Sequence, residues 1–259
     1  MLQVKQMGSG MILLLLPLLL VAVSESASPR KDRILGGKEA PNDATPYALS
    51  LRVDNAHVCG ASILTATKLL TAAHCLFRND KAIDSTRITG RVGSTNQYAG
   101  GQIVNIASYV IHPDYYKLDN NLAVITLKTP LQWTDRIQPI ELVDKDEALP
   151  ADGSVINVAG WGTTVEGTSS FKIRQLSLTF AADAVCRDAY SDHDASKDFC
   201  LAHPLKEGTC HGDGGGAAVY NGKLIGVCNF VVGACGSRYP DVFVRTAGYS
   251  AWLQQQLSV

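Results

Sequence analysis

Short runs of Val, Ile, Leu and Thr, set apart by Gly, Asn, Asp and Pro, limit what this chain can become more than any other feature. Residues 47–53 (YALSLRV), 102–111 (QIVNIASYVI), 121–127 (NLAVITL), 154–162 (SVINVAGWG) and 223–232 (KLIGVCNFVV) are such runs, each bounded by turn residues. They read as strands of an all-β protein. Only residues 248–257 (GYSAWLQQQL) carry a helical pattern, with Trp252, Leu253 and Leu257 at helical spacing and glutamines on the other face. No internal repeat, low-complexity tract or proline-rich linker interrupts the sequence, and the 226 residues after Arg33 suffice for two small barrels sharing one core.

Residues 11–23 (MILLLLPLLLVAV) are thirteen apolar positions following Lys5 and preceding the small residues SESAS. That is the pattern of a secretory signal peptide over residues 1–24, too short to span a bilayer. No other apolar run approaches the length of a spanning helix, so no membrane association is expected. A formal net charge of −1 with 46% hydrophobic and 18% charged residues excludes a disordered chain and a polybasic nucleic-acid surface. All seven cysteines follow the leader and would meet an oxidising compartment, so disulfides are expected with one thiol left over; spacing alone leaves their pairing open. There is no CxxC or HExxH from which to build a metal site, so neither metal nor cofactor is expected. The absence of an Asn-x-Ser/Thr sequon removes N-glycosylation from the recognition surface.

Five stretches in order, 33–40 (RILGGKEA), 69–75 (LLTAAHC), 120–127 (NNLAVITL), 158–162 (VAGWG) and 208–219 (GTCHGDGGGAAV), resemble the landmarks of chymotrypsin/trypsin-like serine proteases. The resemblance implies two packed six-stranded antiparallel β-barrels with a C-terminal helix, formed by residues 34–259 behind a short propeptide at 25–33. It also implies disulfides pairing Cys59 with Cys75, Cys186 with Cys200, and Cys210 with Cys235. Cys228 is then the odd thiol, expected to pack as a small buried hydrophobe. Cutting between Arg33 and Ile34 would release an ammonium that pairs with Asp213 and orders the loops around it.

Triad catalysis requires a hydroxyl to attack, an imidazole to take its proton, and a carboxylate to fix the imidazole tautomer. By resemblance His74 is the imidazole. Asn121 stands where the family has aspartate, a change that lowers turnover about 10⁴-fold in the serine-protease triad. Asp119, two residues earlier, would be displaced by about 6.6 Å along a strand and does not substitute. Gly214 stands where the family has its serine, so no attacking atom is expected. His211 lies three residues before it, and Thr209 belongs by resemblance to the wall of the specificity pocket. The N–H groups of Gly212 and Gly214 would retain an oxyanion-like arrangement.

The cleft departs from the family as well. Where the family has SWG, this chain has Asn229, Phe230 and Val231, and the branched Val231 is expected to obstruct a substrate strand. Gly208 and Asp241 fall at floor positions of the specificity pocket. Asp241 is either a remnant of specificity for basic side chains or a local hydrogen-bonding group. His74 is either an inherited residue beside a disulfide or part of a binding surface. Residues 191–198 (SDHDASKD) lack calcium-loop spacing and read as a solvated turn. The expected protein is a secreted, catalytically inactive, monomeric serine protease homologue. It resembles the clip-less arthropod homologues that regulate extracellular proteolytic cascades of immunity, with a protease or cascade component as partner. A decoy or inhibitor of a hydrolase, and a residually active endopeptidase, are the competing classes.

Overall fold

The computed structural model describes residues 36–164 and 167–258. The first barrel closes through β1 (Ala48–Val53), β2 (Ala56–Ile63), β3 (Lys68–Thr71), β4 (Ile88–Val92), β5 (Gln102–Ile111) and β6 (Ala123–Leu127), in the order β1-β2-β3-β6-β5-β4. The second uses β7 (Val155–Gly160), β8 (Arg174–Phe180), β9 (Asp198–Ala202), β10 (Ala217–Tyr220), β11 (Lys223–Phe230) and β12 (Asp241–Arg245). Its order is β8-β7-β10-β11-β12-β9, and β9 pairs back to β8 to close it. All the barrel pairings are antiparallel, so the two six-stranded barrels expected from sequence are present.

The local chemistry follows strand rules. β4 buries Ile88, Gly90 and Val92 while Thr89 and Arg91 stay half-exposed, and β8 buries every second residue from Arg174 to Phe180. Asp54 and Asn55 both take positive φ, the geometry of the two-residue turn that joins β1 to β2. Rings of Phe180, Phe199 and Phe243 stack inside the second barrel with centroids 5.4 and 5.7 Å apart. Ala217, Leu224, Val227 and Val244 join the core of the first barrel, so one apolar cluster spans both. The C-terminal helix Ser250–Leu257 buries Leu253 in that cluster, and Trp252 packs 5.0 Å from the ring of His112.

Three differences from the sequence reading have local causes. A second helix, Asp183–Ala189, was not expected; its seven residues are too few to show helical periodicity, and it carries Cys186 into the disulfide with Cys200. The run NLAVITL enters β6 only at Ala123, because Asn120 takes a positive φ and Leu122 N–H turns back to Asn120 O at 2.8 Å. In the loop 191–198, the side chain of His193 is almost fully buried against Asp183, so this turn is tethered rather than simply solvated.

The disulfides are Cys59–Cys75, Cys186–Cys200 and Cys210–Cys235, spanning 16, 14 and 25 residues, and Cys228 is free and buried. Loops of this size confer about 3 kcal/mol each by restricting the unfolded chain. Among the described residues no helix is long and apolar enough to cross a membrane.

Candidate functional site

His74 sits in a 3₁₀ turn, Ala73–Leu76, directly after β3, and the Cys59–Cys75 disulfide ties that turn to β2. Asn121 is fully buried in the turn before β6. Its Oδ1 accepts the backbone N–H of His74 at 2.9 Å, which orients the amide. Nδ2 therefore faces His74 Nδ1 at 2.8 Å and donates to Asn229 Oδ1 at 2.7 Å. An amide NH₂ only donates, so His74 Nδ1 accepts and the neutral ring carries its proton on Nε2. Burial holds the imidazole below its ordinary 6.5, so the neutral form prevails at pH 7.

Asn229 continues this chain, donating to Leu118 O at 3.2 Å and to Asp198 Oδ1 at 3.4 Å. Burial lifts the Asp198 carboxyl from 3.8 to about 7; the Asn229 bond opposes the rise, and the charge of Asp119 adds to it. Asp119 itself faces Lys197, with both oxygens 3.1 Å from Nζ. It does not stand in for a carboxylate at residue 121.

Gly214 lies opposite the imidazole. A Cβ there would fall 2.7 Å from His74 Nε2. Its carbonyl accepts the N–H of Gly60 at 2.8 Å, where the two barrels meet. Asp213 is buried beneath, its Oδ1 accepting from Gly162 N–H at 2.8 Å and its Oδ2 from Cys210 N–H at 2.9 Å. The glycines of VAGWG are explained by this carboxylate, since a Cβ on Gly160 or Gly162 would come within 2.0 or 2.3 Å of its oxygens. Burial raises Asp213 to about 7, although the two backbone donors pull the other way. Arg33 and Ile34, its expected cleavage site and partner, lie outside the described residues, as do the leader and propeptide.

His57 was not singled out in the sequence, where it is a lone histidine on a strand. It proves central to the shape of the site. Its Nε2 lies 3.0 Å from Gly212 O and its Nδ1 2.8 Å from Ser50 Oγ. A carbonyl only accepts, so Nε2 carries the proton and Nδ1 receives the hydroxyl. Burial drives this imidazole down to about 4, with Gly212 O opposing and the Arg52 charge assisting, so it is a neutral strut.

Asp241 is buried behind Thr209, a residue of the cleft lining, with all its bonds internal. Oδ2 accepts from Thr209 N–H at 2.6 Å and Thr209 Oγ1 at 2.9 Å, while Oδ1 lies 3.2 Å from His203 Nε2. His203 Nδ1 is 3.0 Å from Pro204 O, so both ring nitrogens point at acceptors. Burial works against the charged imidazole, but the Asp241 bond and charge together with two carbonyls raise it above 6.5. Gly208 makes room for the pair, for a Cβ there would be 2.9 Å from Asp241 Oδ2 and 3.0 Å from the His203 ring. Cys228 directs its thiol at Thr209 Oγ1 across 3.6 Å, and burial pushes it well above the usual thiol range. Val231 follows the end of β11 and lines the cleft, a cavity of about 380 Å³, beside Phe230. Cys59, His74 and Cys75 form the one cluster of metal-ligand residue types among the described residues, but both sulfurs are in a disulfide.

The family profile described as Trypsin matches residues 34–253. The chain is 32% identical over 223 residues to serine protease SP24D of Anopheles gambiae, covering 86% of this chain and 80% of that protein. It is 30% identical to vitellin-degrading protease of Bombyx mori over 95% of this chain and 94% of that one. Against trypsin 5G1 of Aedes aegypti it is also 30% identical, over 86% and 84% of the two chains. With its two closed barrels and a match running through nearly all of both, the chain belongs to the trypsin family of serine proteases.

Proposed function

We propose that this chain is a secreted, non-cleaving member of the family that acts by binding a protein partner, a protease or another component of an extracellular proteolytic cascade. The observation that carries the reading is the pairing of Gly214, which has no side-chain atom to attack a carbonyl, with a His74 whose Nε2 bears the proton. A base must present a lone pair to the nucleophile; this one presents a hydrogen. Both halves of the nucleophile–base couple are absent together.

Hydrolysis is the second reading, favoured by the names of the relatives, which are proteases. The test treats the chain, cut after Arg33, with a fluorophosphonate probe and with a panel of peptide substrates. Neither labelling nor turnover above buffer is expected. Specific labelling of the purified, correctly cut chain would overturn the proposal.

A further inference from the structure

We infer that the cleft is a receptor for the free C-terminal carboxylate of a peptide chain whose last side chain is uncharged. This rests on the non-cleaving reading above and gives it a ligand class.

The site over Gly214 is lined by hydrogen-bond donors and by no carboxylate. Because Asn121 takes up Nδ1, the His74 proton sits on Nε2, beside the space over Gly214, where the Cys75 and Cys59 sulfurs at 3.6 and 4.0 Å are weak acceptors that a carboxylate outcompetes. Gly212 and Gly214 line the same cavity as His74, and the direction of each amide follows from its carbonyl neighbour. His211 O is held by Thr163 N–H at 2.7 Å and Thr163 Oγ1 at 3.1 Å, and Asp213 O by Gly216 N–H at 3.0 Å. In a trans peptide the N–H points opposite to the C=O, so fixing these carbonyls turns the Gly212 N–H away from Thr163 and the Gly214 N–H away from Gly216. Among the described residues neither amide has an acceptor. A carboxylate presents acceptors only, and its bonds to such donors are charge-assisted. A C-terminal amide would set its own NH₂ against donors, and a continuing chain would need the room beside Val231.

The cavity supports the same ligand. No acidic residue lines it, and its single charged lining residue is Arg78, which is paired with Asp54 at 3.2 Å. Behind Thr209, the Asp241 carboxylate is met by His203 and Thr209 and is closed off from solvent. A terminal lysine or arginine finds no free counter-charge there, whereas Thr209, Cys228 and Val231 offer an uncharged wall.

The experiment measures binding of fluorescein-labelled hexapeptides ending in leucine, as free acid and as amide, to the purified chain by fluorescence anisotropy. The acid is expected to bind at least about tenfold more tightly. Gly214→Ala, which crowds Nε2, and His74→Ala, which removes the donor without crowding, are both expected to erase that preference. A calorimetric arm reads protonation. The native chain should bind the acid without proton uptake between about pH 7 and 8.5, whereas Asn121→Asp should take up close to one proton as His74 becomes imidazolium. Equal affinity for acid and amide, or no binding of either at about 1 mM, overturns the carboxylate receptor and leaves the non-cleaving reading standing. Hydrolysis of the amide-ended peptide overturns both.

Discussion

A β-carbon on Gly214 would lie 2.7 Å from Nε2 and 3.0 Å from Cε1 of His74, closer than side chains come without something giving way. The imidazole therefore lies in part of the space that a nucleophile's side chain needs, and its proton sits on the nitrogen that would have to accept. Gly214→Ser alone supplies an oxygen facing an N–H. Adding Asn121→Asp reverses the ring, since an aspartate accepts from Nδ1–H and frees the Nε2 lone pair. The double revertant should exceed the single one by about 10⁴-fold in kcat/KM on an uncharged tripeptide ester. Val231→Gly should add a further gain by admitting the substrate strand. Equal rates for the single and double revertants would show that the amide at 121 does not set the tautomer.

Asp241 begins β12, and His203 follows the end of β9, the neighbouring strand, so their pairing joins two strands of the second barrel beneath the cleft. Removing one partner of a buried pair leaves an uncompensated charge, typically at about 3–5 kcal/mol. His203→Ala should lower thermal stability by several degrees or more and let the cleft take a lysine-ended peptide acid. His203→Ala with Asp241→Ala should recover much of the stability. If the single and double variants melt together, the pair is not coupled. This element also shows what a sequence conceals. Strands could be read because β-branched residues recur between turn formers, and Gln102–Ile111 appears with the bounds its sequence suggests. The positions of His74, Asn121 and Gly214 were readable because each lies in a motif. The roles of His57, Asn229, Asp198 and His203 were not: Asn229 and Asp198 were visible only as members of the stretches 229–231 and 191–198, His57 and His203 stand alone, and each is a polar residue whose role its neighbours in sequence do not state. Its meaning comes from a partner 155, 108, 31 or 38 residues away.

Two carboxylates of the second barrel, the half-buried Asp198 and the buried Asp213, have their acid form favoured by the fold, chiefly through desolvation, and both are raised from 3.8 to about 7. A group raised on folding contributes stability in its protonated form, fully present below the unfolded value and lost as pH rises through the folded one. Both therefore make the uncut chain lose stability between about pH 4 and 7. At about 1.4 kcal/mol per decade of offset, Asp198 accounts for at most about 4 kcal/mol. Asp198→Asn keeps an oxygen for the Asn229 amide and removes the titration, so its Tm should fall less steeply over this range and exceed that of the native chain at pH 8. Cleavage after Arg33 provides a separate test on the other carboxylate. An Ile34 ammonium reaching Asp213 stabilises its charged form, so the cut chain should lose the Asp213 share of the slope while keeping that of Asp198. Scanning calorimetry of native, cut and Asp198→Asn chains from about pH 4.5 to 8 separates the two. Identical slopes before and after complete cleavage would show that the new terminus does not reach Asp213. An unchanged slope in Asp198→Asn would show that this carboxyl is already ionised across the range and that the amide relay behind His74 ends on a permanent charge.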